Sequence, residues 1–204
     1  MAVLTHLPPA TGVPAAVPPP AARARRRFWR ELPVLVVLSV GLALLLRTFV
    51  VQAFYIPSGS METTLHGCAG CSDNDRVLVF KPGYRFGEPG RGDIVVFDGR
   101  GSFTGPGEEK DFVKRVIGVA GDTISCCDAE DRLLRNGDPL DEPYLRERTQ
   151  EPFDEVTVPD GQLWLMGDNR NASDDSRSHG PVPVARVIGE AVVRVWPPSR
   201  LGGL

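Results

Sequence analysis

Phe112-Val113-Lys114-Arg115-Val116-Ile117-Gly118-Val119 is the stretch whose reading decides the fold. It is rich in β-branched residues and short, as a strand is. Side chains alternate faces along a strand, so Phe112, Lys114 and Val116 share one face. Working outward, runs of the same kind recur at Arg76–Lys81 (RVLVFK), Asp93–Phe97 (DIVVF), Gln162–Met166 (QLWLM) and Gly189–Trp196 (GEAVVRVW). Turn-forming groups separate them: Lys81-Pro82-Gly83, Glu88-Pro89-Gly90, Gly105-Pro106-Gly107, Asn136-Gly137-Asp138 and Pro159-Asp160-Gly161. This spacing predicts a mostly β body, a curled antiparallel sheet or partly open barrel. The more polar, turn-rich stretch from about 122 to 160 reads as a smaller β subdomain inserted into the main one. There is no internal repeat.

The N-terminal part is different. Leu32 to Leu46 carries no charge, and residues 28–50 reach the roughly 20 residues a helix needs to cross a bilayer core. Arg47 can snorkel to the interface. Arg23, Arg25, Arg26, Arg27 and Arg30 precede the apolar run with no acid among them, which predicts a cytoplasmic N-terminus. The expected organisation is a disordered Pro/Ala/Arg-rich tail over 1–27, a single anchor over 28–50 and an extracytoplasmic domain over 51–204, at the cell membrane. A cleavable secretory signal ending near Val51-Gln52-Ala53 is the competing reading, and it puts the body in the same compartment.

The net charge of −3 conceals this asymmetry: with the arginines set aside, the body is distinctly acidic, which argues against nucleic acid as a partner. Cys68, Cys71, Cys126 and Cys127 suit an oxidising compartment, with three disulfide connectivities open. A zinc site is the weaker alternative, because adjacent Cys126 and Cys127 do not match the usual ligand spacing. No metal or organic cofactor is implied.

Three segments point to chemistry. Ser58, Gly59 and Ser60 lie about ten residues past the apolar run. A serine hydroxyl is a poor nucleophile until a base takes its proton. Lys114, between Phe112 and Val116 on one strand face, is a base candidate. Only about one free lysine in 2,500 is neutral at pH 7, and lowering its pKa to about 7.5 takes roughly 4 kcal/mol of ammonium destabilisation. Burial among apolar side chains can supply that. Arg115 cannot be tuned this way, because a guanidinium keeps its proton. In the polar segment Gly167–Arg177, Ser173 is placed to orient the lysine amine, and Asp175 with Arg177 to fix the loop. Each of these segments, taken singly, reads equally as a turn, an edge strand or a polar loop.

Taken together and in order, PSGSM at 57–61, GDIVVF at 92–97, KRVIGVAGD at 114–122 and GDNRNASDDSR at 167–177 resemble the motifs of type I signal peptidases, serine proteases with a Ser/Lys dyad. NGDPLDEPYL at 136–145 is similar to that family's inserted β region. The resemblance runs from the apolar segment almost to the C-terminus. It implies Ser60 as nucleophile and Lys114 as general base. It further implies Ser58 and the Ser60 N–H as the oxyanion hole, with Ser173, Asp168, Asp175 and Arg177 in support. The implied partners are the signal peptides of exported preproteins, cut after small residues and bound as an added strand, and the lipid bilayer. Two positions depart from the family pattern. Thr63 stands where proline is usual, and Ala120-Gly121-Asp122 replaces PGD. Neither change removes a reactive group.

Three rival readings are testable. A Ser-His-Asp triad would have to use His66 or His179, since His6 lies before the apolar run. A non-enzymatic, membrane-tethered β module would bind extended peptides without cutting them. A self-cleaving repressor can use a Ser/Lys pair, but this chain has an apolar span where a DNA-binding segment would be expected.

Overall fold

The computed structural model describes residues 20–85, 87–104, 111–149 and 151–204. Residues 1–19 of the expected tail, and the expected turn Gly105-Pro106-Gly107, lie outside the described residues. The chain divides into two compact units, Met1–Leu44 and Leu45–Leu204.

Helix α1 runs from Pro20 to Phe49. Residues 20–27, assigned above to a disordered tail, are therefore helical. Proline is tolerated at the first helical position because its missing N–H would have no partner there, and the following Ala and Arg residues are good helix formers. Within α1, Phe28–Leu45 is long and apolar enough to cross a membrane, and no part of it is buried within the protein. Val37 and Leu38 are 69% and 64% exposed. A helix that is apolar all round and uncovered has the composition of a bilayer span.

The second unit is built on an open, antiparallel eight-stranded sheet. Its strands are β1 (Val51–Tyr55), β2 (Arg76–Phe80), β3 (Ile94–Asp98), β4 (Asp111–Val119), β9 (Gln162–Met166), β10 (Val182–Pro183), β11 (Val187–Trp196) and β12 (Gly202–Gly203). The order is β1-β2-β11-β3-β4-β9-β10, with β12 also on β11. A second sheet holds β5 (Thr123–Cys126), β6 (Leu133–Arg135), β7 (Asp138–Pro139) and β8 (Phe153–Thr157), in the order β7-β6-β5-β8. The five runs singled out from sequence are β2, β3, β4, β9 and β11. The short strands carry too few residues to show a period.

Strand β3 explains why the sheet is covered on both sides. Ile94, Val95, Val96 and Phe97 are all buried, so the strand reads as a continuous apolar run. Ile94 and Val96 join one core with Ile56, Met61, Leu65, Val77 and Val79. Val95 and Phe97 join the opposite core with Val116, Leu163 and Leu165. A third core, beneath the smaller sheet, takes Ile117, Trp164 and Met166 from the large sheet and Ile124 and Leu133 from the small one. Register shifts within β11 and at Val116/Gly118 of β4 mark bulges, which bend strands and curl the sheet. The cysteines pair locally, Cys68 with Cys71 and Cys126 with Cys127.

Candidate active site

Pro57 ends the extended segment that continues β1, and a single 3-10 turn, Gly59–Met61, follows. Buried Met61 and Leu65 pin this turn to the first core. Ser60 sits on it. Strand β4 brings Lys114 from the other side. Phe112 and Val116 pack into the second core as the alternation requires, and Lys114, between them, is 3% exposed. Its Nζ lies 2.9 Å from Ser60 Oγ. Burial lowers the Lys114 pKa to about 8, although Asp175, Asp174 and Asp168 partly restore the charge. Ser60 Oγ is the only hydrogen-bond partner of this nitrogen among the described residues.

The pair opens into a cleft of about 670 Å³, walled by residues 54–58, 60 and 61 on one side and 111–114 on the other. Ser58 lines it, its Oγ 3.4 Å from Ser60 Oγ.

The loop after β9 supplies the rest. Asp168 is 1% exposed and receives two hydrogen bonds from Arg115, at 2.8 and 2.7 Å, and one from the Thr64 hydroxyl at 2.5 Å. The Arg115 guanidinium also stacks on Tyr144, 3.9 Å from the ring centroid. Asp175, fully buried, caps the short helix α2 (Ser176–His179) and accepts from Arg177 Nε at 2.8 Å and from the Gly167 N–H at 3.1 Å. Burial pushes its carboxyl up, but the Arg177 bonds prevail and hold it below the ordinary carboxylate value. Ser173 does not hydrogen-bond Lys114. Its hydroxyl donates to the Asp175 carboxylate at 2.8 Å. Gly167 explains the close packing here: a Cβ would come within 2.2 Å of Ser173 Oγ and 2.4 Å of the Ser60 carbonyl oxygen.

The histidines stand apart. His66 Nδ1 pairs with Glu62 at 2.5 Å, and His179 Nε2 with Asp174 at 2.7 Å. Neither is hydrogen-bonded to Ser60 among the described residues.

Residues 29–196 match the family model described as signal peptidase, peptidase S26. The chain belongs to this family. A signal peptidase of this family is a serine endopeptidase that removes signal peptides, and the family is membrane-associated. The chain is 40% identical to a probable signal peptidase I of Mycobacterium leprae over 95% of its own length and 85% of the relative's. It is 42% identical to signal peptidase I of Mycobacterium tuberculosis over 88% and 76%. With signal peptidase I of Leptolyngbya laminosa it shares 41% identity over 94% of both chains.

Sequence reasoning missed Thr64, Asn169, Arg170 and Glu142 as parts of the signal peptidase site. Buried Arg170 pairs with Glu142 of the inserted region at 2.6 Å. Asn169 contacts the Ser60 turn. The polar character of GDNR was visible, but nothing local tells which distant backbone groups these side chains meet.

Proposed function

We propose that Ser60 and Lys114 are a catalytic dyad that cuts signal peptides from exported preproteins after small residues. The observation that carries this reading is a buried amine, held low by its surroundings, 2.9 Å from a serine hydroxyl in a cleft. The substrate backbone adds as a strand along the cleft, as extended peptides do at exposed strand edges. Neutral Lys114 takes the Ser60 proton as Oγ bonds to the scissile carbonyl carbon. The resulting oxyanion is held by the Ser60 N–H and the Ser58 hydroxyl. The C–N bond breaks and the Lys114 ammonium returns the proton to the leaving amine. Water then hydrolyses the acyl-enzyme by the same base. Ser173, Asp168, Asp175 and Arg177 hold the loop that faces the dyad. α1 spans the membrane with its arginine-rich end in the cytoplasm, and the β unit works outside, where a precursor's own apolar segment sits in the same bilayer.

The test is cleavage of a leader-bearing precursor in detergent across pH. Wild-type activity falls as pH drops through about 8, because the base must be neutral. Ser60→Ala and Lys114→Ala are inactive, while the double replacement of His66 and His179 by alanine retains activity. A rate that is flat down to about pH 5 would sink the neutral-amine mechanism.

A further inference from the structure

Asn169 makes two hydrogen bonds to the nucleophile turn. Its backbone N–H donates to the Ser60 carbonyl oxygen at 3.0 Å. Its side-chain amide Nδ2 donates to the Gly59 carbonyl oxygen, also at 3.0 Å. The second bond matters for catalysis because of which peptide it touches. The Gly59 C=O and the Ser60 N–H belong to one planar unit. Holding the oxygen therefore sets the direction of the N–H on the opposite edge. Glycine on one side of that peptide leaves it freer to rotate than any other residue would; the turn's own bond to this carbonyl, from the Glu62 N–H, is longer at 3.2 Å, and Asn169 adds the shorter anchor. A hydrogen bond accepted at the carbonyl also polarises the amide and strengthens its N–H as a donor.

Asn169 is itself held on both sides. Asp168 is clamped by Arg115 and Thr64. Buried Arg170 donates to the Gly167 carbonyl and pairs with Glu142. The donor therefore reaches Gly59 from a fixed frame, which is what a preorganised site requires.

We infer that Asn169 is a positioning residue whose amide aims the Ser60 N–H at the oxyanion of the tetrahedral intermediate. This rests on Ser60 being the nucleophile, as proposed above. The role differs from that of a structural tie because it is felt when charge develops on the oxygen and not when substrate binds.

The experiment uses the full chain in detergent with a leader-peptide substrate, comparing wild type with Asn169→Ala and Asn169→Asp. The aspartate has nearly the same shape and lacks the N–H donor. Both variants retain the backbone bond to Ser60. Loss of an oxyanion donor outright lowers kcat by about 100- to 1,000-fold, so misdirecting one is expected to lower it by about 10- to 100-fold. KM stays within about threefold of wild type, since the interaction lost is specific to the transition state. In Asn169→Ala the acid limb of the pH–rate profile does not move, because no charge near Lys114 changes, whereas the new carboxylate of Asn169→Asp shifts it to higher pH as the neighbouring aspartates do. Affinity for a peptide aldehyde, whose adduct with serine presents the same oxyanion, falls in parallel with kcat/KM. Wild-type kcat in a folded Asn169→Ala protein overturns the inference. So does a rise in KM at constant kcat, an acid limb displaced in Asn169→Ala, or failure of both variants to fold, which would make Asn169 a structural tie. Ser60→Ala measured alongside separates the two levels. If it remains active, the dyad reading fails. If it is dead while Asn169→Ala is fully active, only the present inference fails.

Discussion

Lys114 and Arg115 are adjacent on β4 and both lose most of their contact with water, yet the molecule treats their charges in opposite ways. Among the described residues Lys114 Nζ hydrogen-bonds a hydroxyl and pairs with no carboxylate, and burial lowers it to about 8. Arg115 has the Asp168 carboxylate, the Gly92 carbonyl and the Tyr144 ring. Burial opposes its charge too, but the Asp168 bonds outweigh that, and its ionisation lies above the ordinary guanidinium value. A buried cation with partners is structural, and one denied a counter-ion is held ready to give up its proton. One strand achieves both because successive side chains point to opposite faces.

The largest expected effect comes from removing that distinction. Lys114→Arg should lower precursor cleavage by at least about 1,000-fold, since the charge remains and the base is gone. Residual activity near wild type in the cleavage assay would mean that another group accepts the proton. Breaking the partnered side should instead show in stability. Arg115→Ala leaves Asp168 buried without its ion partner and should cost about 3–5 kcal/mol in denaturant unfolding. Asp175→Ala, which takes from Arg177 its buried carboxylate and leaves it the more exposed Glu151 and two backbone carbonyls, should cost about 1–3 kcal/mol.

Lys114→Met should move stability the other way. Because Lys114 holds its proton less tightly in the folded protein than in the unfolded chain, the unfolded state binds more protons between about pH 8 and 10.5, and wild-type stability rises with pH across that window. Below it the full penalty stands. At pH 7 the methionine variant should therefore be more stable than wild type by about 2–3 kcal/mol, with the gap closing toward pH 10.5. An unchanged gap from pH 7 to 10.5 would show that the amine is not burdened by burial. The smallest effect is expected at the exposed Arg100–Asp98 pair, where Arg100→Ala should leave both the unfolding midpoint and cleavage at wild-type values.

The strands that were legible in the sequence are those with enough apolar residues to show a pattern, β2, β3, β4, β9 and β11. β1 was not singled out, because VQAFY follows directly on the apolar run and nothing local marks it as an edge strand. The start of α1 at Pro20 was misjudged because the proline-rich segment before it drew the boundary of disorder too far. In the site, Ser60, Lys114, Asp168, Asp175 and Arg177 were each named beforehand; the structure sets Ser60 and Lys114 together on one cleft and Asp168, Asp175 and Arg177 in the loop after β9. Ser173 was expected on the lysine and binds Asp175 instead. Which groups lie within reach of its hydroxyl is set in three dimensions, and residue type does not encode it.

By itself, the sequence determined the family, the β character of the body, the apolar N-terminal segment and the pair of residues able to act as nucleophile and base. The family follows from the resemblance of four ordered motifs, and the rest from composition, from period and from which side chains can carry which proton. Only the tertiary structure decided that Lys114 is buried with, among the described residues, a hydroxyl as its hydrogen-bond partner, while Arg115 has a carboxylate. It alone brought Ser60 within 2.9 Å of an amine 54 residues away, and joined Asn169 to the Gly59 carbonyl 110 residues away. Desolvation and hydrogen-bond partnership depend on what distant segments place around a group, and no local pattern of residues specifies that.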